Sequence, residues 1–482
     1  MKHVAPLFFA LIIGCASAPR LQQVTLNTQI PDVYQTSATA TTQTDSLWWA
    51  TFDDARLDTL IDQALLYNHN LQAASARLHM AQAQAKLAGA PLYPQIGAGF
   101  SAAKRKQNFI GLPIPGTGTG VNANTSESFG VSVNASWEID LWGKLSANQA
   151  AALANLEASR ALYRGARQSL AAQTAKAYFA AIEAKRQLEL AQATYNNNKT
   201  SAEQIETRYT RGVRSSLDVR ISLTDLALAE DRLHQRQQQY NLVVRQLEVL
   251  LGRYPSGTFE ITPSLPTVPS VVPSGLPADL IARRPDLVAA ERRFAASASS
   301  HKAAKRSRYP TISLTASGGT SSGALGDLLN GDYSVWNLIG NLTQPLFQGG
   351  RIQGNINLTK AQSDEALATY AQTVLQAYAE VENTLTDEHL LAQRLIALET
   401  ATEQALEARR LAEDRYNRGL TDLITMLQTQ RTAYQTESQL IAVQRLRLNA
   451  RIDLHLALGG GFPDRASLIS RVEAHQTTIA QH

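Results

Sequence analysis

The sequence predicts a mainly α-helical fold with a membrane β-barrel, built from a duplicated unit of two strands followed by long helices. The first observation is a repeat: Arg-Tyr-Thr-Arg-Gly-Val at 208–213 returns as Arg-Tyr-Asn-Arg-Gly-Leu at 415–420, 207 residues later. The second is the alternation of apolar and polar residues at two places in each copy, which is typical of strands. The third is that the helical stretches exceed the roughly 25 residues expected of a globular helix.

The composition excludes several classes of protein. The chain has 482 residues, a mean hydropathy of −0.20 and a formal charge of +4, from 45 Lys and Arg against 41 Asp and Glu. Beyond the first dozen positions, no apolar stretch approaches the ~20 residues that a spanning helix needs. The small net charge, without a run of five basic residues, gives no indication of nucleic-acid binding. The ordinary apolar content argues against disorder.

The amino terminus is typical of an export signal. A basic start is followed by the apolar run Val4 to Ile13 and by small residues, too short for a transmembrane helix. The run stops at Cys15, the only cysteine of the chain, and Ile-Ile-Gly-Cys resembles the bacterial lipobox. We predict a signal peptide at 1–14 and an N-terminal arm at 15–49 that is lipidated at Cys15. A plain signal peptide with an incidental cysteine is the alternative.

The repeat also sets the domain boundaries. Repeat 1 spans 50–254, repeat 2 spans 278–460, and a tail follows at 461–482. The linker 255–277 holds six prolines, which are incompatible with a helix and suit an extended strap.

Each repeat is expected to contain a helix, two strands and then long helices. The first helix ends near a Tyr-Pro pair, because proline disfavours helix at the preceding residue. Both strands of repeat 1 fall within 95–140 and those of repeat 2 within 311–347, and the Gly- and Pro-rich stretch 111–128 is expected to be an exposed loop. The expected elements are helices Asp54–Ala88 and Ala278–Arg306, and strands Gln95–Ala103, Ser128–Ile139, Thr311–Thr315 and Tyr333–Phe347.

Two very long helices are expected at about 146–209 and 351–416, each opened by a glycine. A helix of ~64 residues is about 95 Å long at a rise of 1.5 Å per residue. The chain then reverses at Arg-Gly, where Gly212 and Gly419 supply the positive φ of a C-cap, and a helix of roughly 40 residues returns.

Four amphipathic strands are too few to close a barrel, and an open strand edge is not tolerated in lipid. Several chains are therefore required, and three would give twelve strands. This inference favours an oligomeric conduit over an enzyme. The sequence contains no nucleophile-elbow, zinc-protease, paired-cysteine or phosphate-loop motif, so no catalytic residue, metal site or cofactor is expected.

Several segments together resemble the outer membrane factor (TolC-like) family, in its NodT branch of efflux-system outer membrane lipoproteins. They are the lipobox-like sequence, Trp-Trp-Ala-Thr-Phe-Asp-Asp at 48–54, Tyr-Pro at 93–94, Trp-Glu-Ile-Asp-Leu-Trp-Gly-Lys at 137–144, Arg-Arg-Pro-Asp-Leu at 283–287, Pro-Leu-Phe-Gln-Gly-Gly-Arg at 345–351 and the two Arg-Gly turns. The resemblance implies a homotrimer, with a 12-stranded β-barrel continuous with a long periplasmic α-helical barrel. It further implies a passive outer-membrane channel for small amphiphilic compounds or drugs.

The resemblance also implies two protein partners, a periplasmic adaptor (membrane fusion) protein and an inner-membrane pump. The Arg-Gly turns would form the periplasmic tip. Four arginines with the two turn glycines are expected to contact the adaptor, although the arginines could merely cap the ends of their helices. The expected contact set is Arg208, Arg211, Gly212, Arg415, Arg418 and Gly419.

A periplasmic gate is implied near the same turns. Tyr416 and Asp218 match a tyrosine and an aspartate that constrict the pore in the family. Thr425, Gln428 and Thr421 stand where a well-studied branch has two aspartates and an arginine, so Asp422 is the candidate acidic substitute in repeat 2. The alternative for Asp218 and Asp422 is that they lie in the first turns of their helices, where a carboxylate favours the positive end of the dipole.

Three other functions stay open. The first is a type I protein secretion channel, although the lipobox and the Arg-Arg-Pro-Asp segment favour small-molecule efflux. The second is a trimeric coiled-coil adhesin or stalk, against which the in-chain duplication of strands and helices argues. The third is a helical structural lipoprotein confined to the periplasm.

Overall fold

The structure is a computed structural model that describes residues 47–109, 122–262, 264–268 and 283–460. Two compact units are present: a strand unit from 79–159 and 290–369, and a helical unit from the described parts of 47–78, 160–289 and 370–460. The predicted signal peptide, Cys15 and the tail after 460 lie outside the described residues, as does much of the proline-rich linker. Lipidation of Cys15 therefore stays a prediction.

The described helices, numbered in chain order, are α1 Ala55–Tyr67, α2 His69–Gly89, α3 Lys144–Thr210, α4 Ser216–Leu250, α5 Pro285–Arg306, α6 Arg351–Asn417 and α7 Leu423–Ala457. The two very long helices are confirmed, since α3 and α6 each have 67 residues. None of the helices in the described ranges combines the length and apolarity needed to cross a membrane.

The expectation of one continuous helix over Asp54–Ala88 is wrong. The helix breaks at Asn68, whose backbone is extended at φ −68° and ψ 121°. The Asn68 side chain accepts hydrogen bonds from the backbone N–H groups of Asn70 at 3.0 Å and Leu71 at 3.1 Å. Asparagine thus ends α1 and caps α2, because its short amide competes with the helical backbone for local donors.

Four antiparallel strands form one sheet in the order β1-β2-β3-β4. They are β1 Gln95–Phe109, β2 Asn122–Ile139, β3 Thr311–Ser322 and β4 Ser334–Thr343. Three strands are longer than expected, and residues 122–128 of the expected loop belong to β2. The fourth is shorter than expected, because Pro345 after Thr343 has no N–H to donate to the sheet.

Side chains alternate between the two faces of this sheet. One face carries large exposed apolar residues, including Ile96, Phe100, Val133, Trp336 and Leu338. The opposite face of β1 to β3 carries mainly glycine and small polar residues, as in the row Gly97, Asn134 and Ser317, which the strand register places side by side. β1 and β4 are the edge strands of the sheet. The two faces and two edges are what an incomplete section of a transmembrane barrel requires.

In the helical unit, the Arg-Arg-Pro-Asp segment has a structural role. The buried guanidinium of Arg284 forms ion pairs with Asp286 at 2.6 Å and Glu380 at 2.7 Å, and it donates to the Ala457 carbonyl oxygen at 3.1 Å. The start of α5 is thereby joined to α6 and to the end of α7. These three partners offset the desolvation of the charge.

The aromatic segment before α1 packs into the same unit. Trp48 is fully buried, and its ring stacks on His455 of α7 with centroids 5.7 Å apart. Burial is the main cause that lowers the pKa of His455 to about 4, and the nearby Arg451 adds to the effect. His455 is therefore neutral in the folded chain at neutral pH.

We expect acid to weaken this packing between pH 6.5 and 4. The unfolded chain binds a proton at His455 in that window and the folded chain does not, so stability falls as the pH falls. The loss is about 3 kcal/mol, from ~2.5 pKa units at 1.36 kcal/mol each. Denaturant titrations of the wild type and His455→Phe at several pH values measure it. Phenylalanine keeps the ring stacking with Trp48 but cannot bind a proton, so the free energy of unfolding of this variant should depend less on pH. The same pH dependence in both proteins would contradict the role given to His455.

Candidate functional site

The candidate site lies at the two turns that join α3 to α4 and α6 to α7. Gly212 and Gly419 have φ of 74° and 76°, a conformation that favours glycine. In each turn two backbone N–H groups donate back into the preceding helix, as in Val213 to the Arg208 carbonyl at 2.9 Å and Leu420 to the Arg415 carbonyl at 2.8 Å. This is a Schellman motif, so both reversals follow from the Arg-x-x-x-Gly spacing.

Tyr416 connects the two turns. It is only 4% exposed, and it packs with Ile205 of α3 and Leu423 of α7. Its ring lies beneath two guanidinium groups of repeat 1, at 5.6 Å from Arg208 and 4.6 Å from Arg214. We call these five residues the tip cluster. Cation–π contacts of this kind contribute about 0.5–2 kcal/mol each.

Burial raises the pKa of Tyr416, although the charges of Arg214 and Arg208 oppose that shift. Tyr416 is therefore neutral at physiological pH and contributes its ring, not a charge. The corresponding position of repeat 1 is Tyr209, which is 45% exposed. The duplicated tyrosines thus have different surroundings, and a role of Tyr416 in a gate stays a prediction.

The two candidate acids both cap helices within this chain. Asp218 and Ser215 form a capping box at the start of α4, with reciprocal hydrogen bonds of 3.2 Å. Asp422 is the N-cap of α7 and accepts from the Thr425 backbone N–H at 2.8 Å and from its hydroxyl at 3.0 Å. The backbone hydrogen bond from Thr425 is the main cause that lowers the pKa of Asp422.

The repeat offset of 207 residues shows how these caps are related. Asp422 corresponds to Ser215 and Thr425 corresponds to Asp218. The hydroxyl and the carboxylate have therefore exchanged places between the two turns, and each turn retains one acid. The capping role named as the alternative is present in the structure, and a role in a gate stays a prediction.

The four arginines of the predicted contact set differ in their surroundings. Arg208 is half-buried against Tyr416, so it stabilises the tip cluster. Arg211, Arg415 and Arg418 are exposed. Arg418 pairs with Asp414 one helical turn earlier, at 3.1 Å, and the side chain of Arg418 stays 69% exposed. Three of the four guanidinium groups are therefore accessible in this chain.

Sequence reasoning missed two features next to the tip. Arg214 is closer to the Tyr416 ring than Arg208 is, and no motif singled it out. Asp225, one heptad after Asp218, is almost buried and pairs with Arg431 of α7 at 2.5 Å. This pair borders a cavity of about 570 Å³ between α3, α4 and α7. In the part of the chain that the structure describes, no three metal-binding side chains are grouped to hold an ion.

Comparison with known proteins gives a consistent result over nearly the whole chain. A family model described as outer membrane efflux protein matches residues 60–253 and 276–460. The pyoverdine export outer membrane protein OpmQ of Pseudomonas putida is 31% identical over 467 residues, which cover 96% of this chain and 98% of that protein. The toluene efflux pump outer membrane protein TtgI of Pseudomonas putida is 29% identical over 475 residues, covering 96% and 99%.

A solved structure is similar along its full length. The open state of the MtrE outer membrane channel of Neisseria gonorrhoeae superposes with a TM-score of 0.80 at 26% identity. The match covers 93% of this chain and 98% of that chain.

We expect Tyr416→Ala to loosen the tip and Tyr416→Phe to leave it intact. Alanine removes the ring from beneath both guanidinium groups and leaves a cavity, which costs about 3–5 kcal/mol for a buried aromatic side chain. Amide hydrogen exchange should quicken at 205–215 and 416–427 in the alanine variant alone. If the phenylalanine variant exchanges as fast as the alanine variant, the hydroxyl and not the ring holds the tip.

Proposed function

Because this chain belongs to the outer membrane efflux protein family, we propose that it is the outer-membrane channel of a tripartite efflux system. It conducts small amphiphilic compounds passively to the exterior and catalyses no reaction. The observation that carries this proposal is the four-stranded sheet, which has one apolar face, one mainly polar face and two unpaired edges. Such a sheet is stable in a membrane only as part of a closed barrel.

We propose a homotrimer, in which three sheets of four strands close a barrel of twelve. A closed barrel pairs every backbone N–H and C=O group that faces hydrocarbon. The long helices α3 and α6 with their returning helices form the periplasmic part of the proposed assembly. The apolar sheet face meets lipid, and the small polar face lines a water-filled lumen.

A periplasmic adaptor and an inner-membrane pump are the proposed partners. The exposed guanidinium groups of Arg211, Arg415 and Arg418, together with Gly212 and Gly419, form the proposed adaptor contact. Arginine suits this role because its planar group binds carboxylates and backbone oxygens with defined geometry. Arg208 belongs to the tip cluster and supports the contact from within.

We propose that Asp218, Tyr416 and Asp422 contribute to a gate at the tip. Tyr416 joins the turns of the two repeats, so a movement of either turn disturbs the other. Asp218 is near enough to influence the pKa of Tyr416, and the same ring contacts Arg208 and Arg214. In the proposed closed state, the charge of Asp218 favours Arg208 and Arg214 in their places over the Tyr416 ring, and these cation–π contacts hold the two turns together.

The names of relatives support a small cargo. Those relatives are named for export of pyoverdine and efflux of toluene, which favours efflux over secretion of proteins. A lipid anchor at Cys15 remains part of the proposal, as an addition to the barrel and not a substitute for it.

Stepwise conductance in planar bilayers tests the channel. We expect it for the detergent-extracted wild type and for Gly318→Ala, since a Cβ at 318 meets nothing within 4 Å. Gly319→Val should abolish it, because a Cβ at 319 would lie 1.9 Å from the Val131 carbonyl oxygen and prevent β2 from pairing with β3. Absence of conductance from the wild type, under conditions where an established channel conducts, would refute the channel.

The gate is tested with Asp218→Asn. Asparagine can still accept the capping hydrogen bond but carries no charge, so it separates the two roles of Asp218. We expect the open probability to rise severalfold, since a single charge pair at a partly exposed site contributes about 0.2–1 kcal/mol. Asp231→Asn, an exposed position on the same helix, is the matched control. Wild-type conductance in Asp218→Asn would leave Asp218 with its capping role alone.

A further inference from the structure

The far end of the β1–β2 hairpin carries three consecutive basic residues, Lys104, Arg105 and Lys106. They lie beyond the level where β3 ends, because β3 pairs with β2 only up to Phe129. In this region β1 and β2 form a two-stranded ribbon, in which Lys104 is opposite Glu127 and Lys106 is opposite Thr125. The inference drawn from them rests on the proposed function, which places this end of the sheet at the outer surface.

Alternation divides the three basic residues between the two faces. Lys104 and Lys106 are separated from Ile96 and Phe100 by even numbers of residues along β1. They therefore lie on the same face of the strand, which is the apolar, lipid-facing side. Arg105 lies on the opposite side, which faces the lumen. A single step along the strand therefore separates side chains that meet the membrane from one that meets the channel.

The length of the apolar face indicates where the two lysines lie relative to the hydrocarbon core of the membrane. On β2 this face runs from Ile139 to Phe129, ten steps of about 3.4 Å, or ~34 Å along the strand. A tilt of roughly 45° reduces this to about 25 Å, the height of the apolar band of outer-membrane barrels. Lys104, opposite Glu127, is two residues beyond that band, and Lys106 is four residues beyond it.

The opposite end of the band has aromatic side chains, as expected at a bilayer interface. Trp137 donates its indole N–H to the Leu92 carbonyl oxygen at 2.9 Å. Trp142 donates to the Pro310 carbonyl oxygen at 2.7 Å, and its ring stacks on Tyr309 with centroids 5.1 Å apart. Because the aromatic side chains lie at one membrane interface, the two lysines lie among the lipid headgroups of the opposite interface.

We propose that Lys104 and Lys106 bind the phosphate groups of anionic lipids in the outer leaflet. Lysine presents a flexible point charge suited to phosphate. Lys106 stands opposite an uncharged threonine, and Lys104 pairs with Glu127 at 2.5 Å while its side chain stays 69% exposed. Glu127 thus competes with the lipid for Lys104 and limits the affinity. The surface is continuous with the lipid-facing side of the sheet, so a lipid headgroup is the ligand it would meet.

The experiment measures binding of a bisphosphorylated lipid A to the purified full-length trimer in detergent, with the same lipid lacking its phosphates as reference. We expect Lys104→Gln/Lys106→Gln to weaken binding about tenfold. Arg105→Gln, which removes one basic charge from the other face, should bind within about twofold of the wild type. Glu127→Gln should bind more tightly, because it releases Lys104 from its partner. The dephosphorylated lipid should not distinguish the variants.

Wild-type affinity in the double lysine variant would overturn the proposal. An equal loss in Arg105→Gln would also overturn it, because the effect would then be one of total charge. Conductance of each variant in neutral bilayers is recorded in parallel. A conducting trimer with unchanged lipid affinity refutes the lipid site alone, whereas a wild type without conductance refutes the proposed channel.

Discussion

An unpaired strand edge in hydrocarbon leaves backbone N–H and C=O groups without hydrogen-bond partners, each at a cost of several kcal/mol. The architecture of this chain depends on how its strand edges are paired. Its sheet has an apolar face suited to lipid, yet β1 and β4 each offer an open edge. Each repeat contributes two strands, so the duplicated chain has four. Four strands are still too few to close a barrel. Further copies of the same chain, each adding the same two edges, complete the ring.

The two repeats have diverged where they meet. At the tip, Arg208 and Arg214 of repeat 1 cover the ring of Tyr416 of repeat 2, while the corresponding Tyr209 is exposed. The caps have diverged as well, with Ser215 and Asp422 at equivalent positions. The tip therefore has unequal halves, which are joined by one shared aromatic ring.

Much of this architecture could be predicted from sequence, because it depends on local patterns. The 67-residue helices follow from long runs without proline that end at glycine. Two local features were missed: Asn68 breaks a helix by side-chain capping, and the strand that was expected to end at Ala103 continues through the basic residues 104–106. The tip cluster was out of reach, since Arg214 and Tyr416 are 202 residues apart and only the fold brings them together. The contact of Arg208 with the same ring was out of reach for the same reason, and a contact of Arg208 with an adaptor stays a prediction.

In the proposed barrel, the open edges β1 and β4 are paired between copies of this chain. Cysteines at Ala102 in β1 and Leu338 in β4, both on the lipid-facing side, test it by oxidative cross-linking in membranes. A closed ring predicts covalent dimers and trimers and nothing larger, and only when both positions are substituted in one chain. Absence of cross-links across a scan of neighbouring lipid-facing positions in β1, or a ladder that continues past three chains, would contradict closure by three copies.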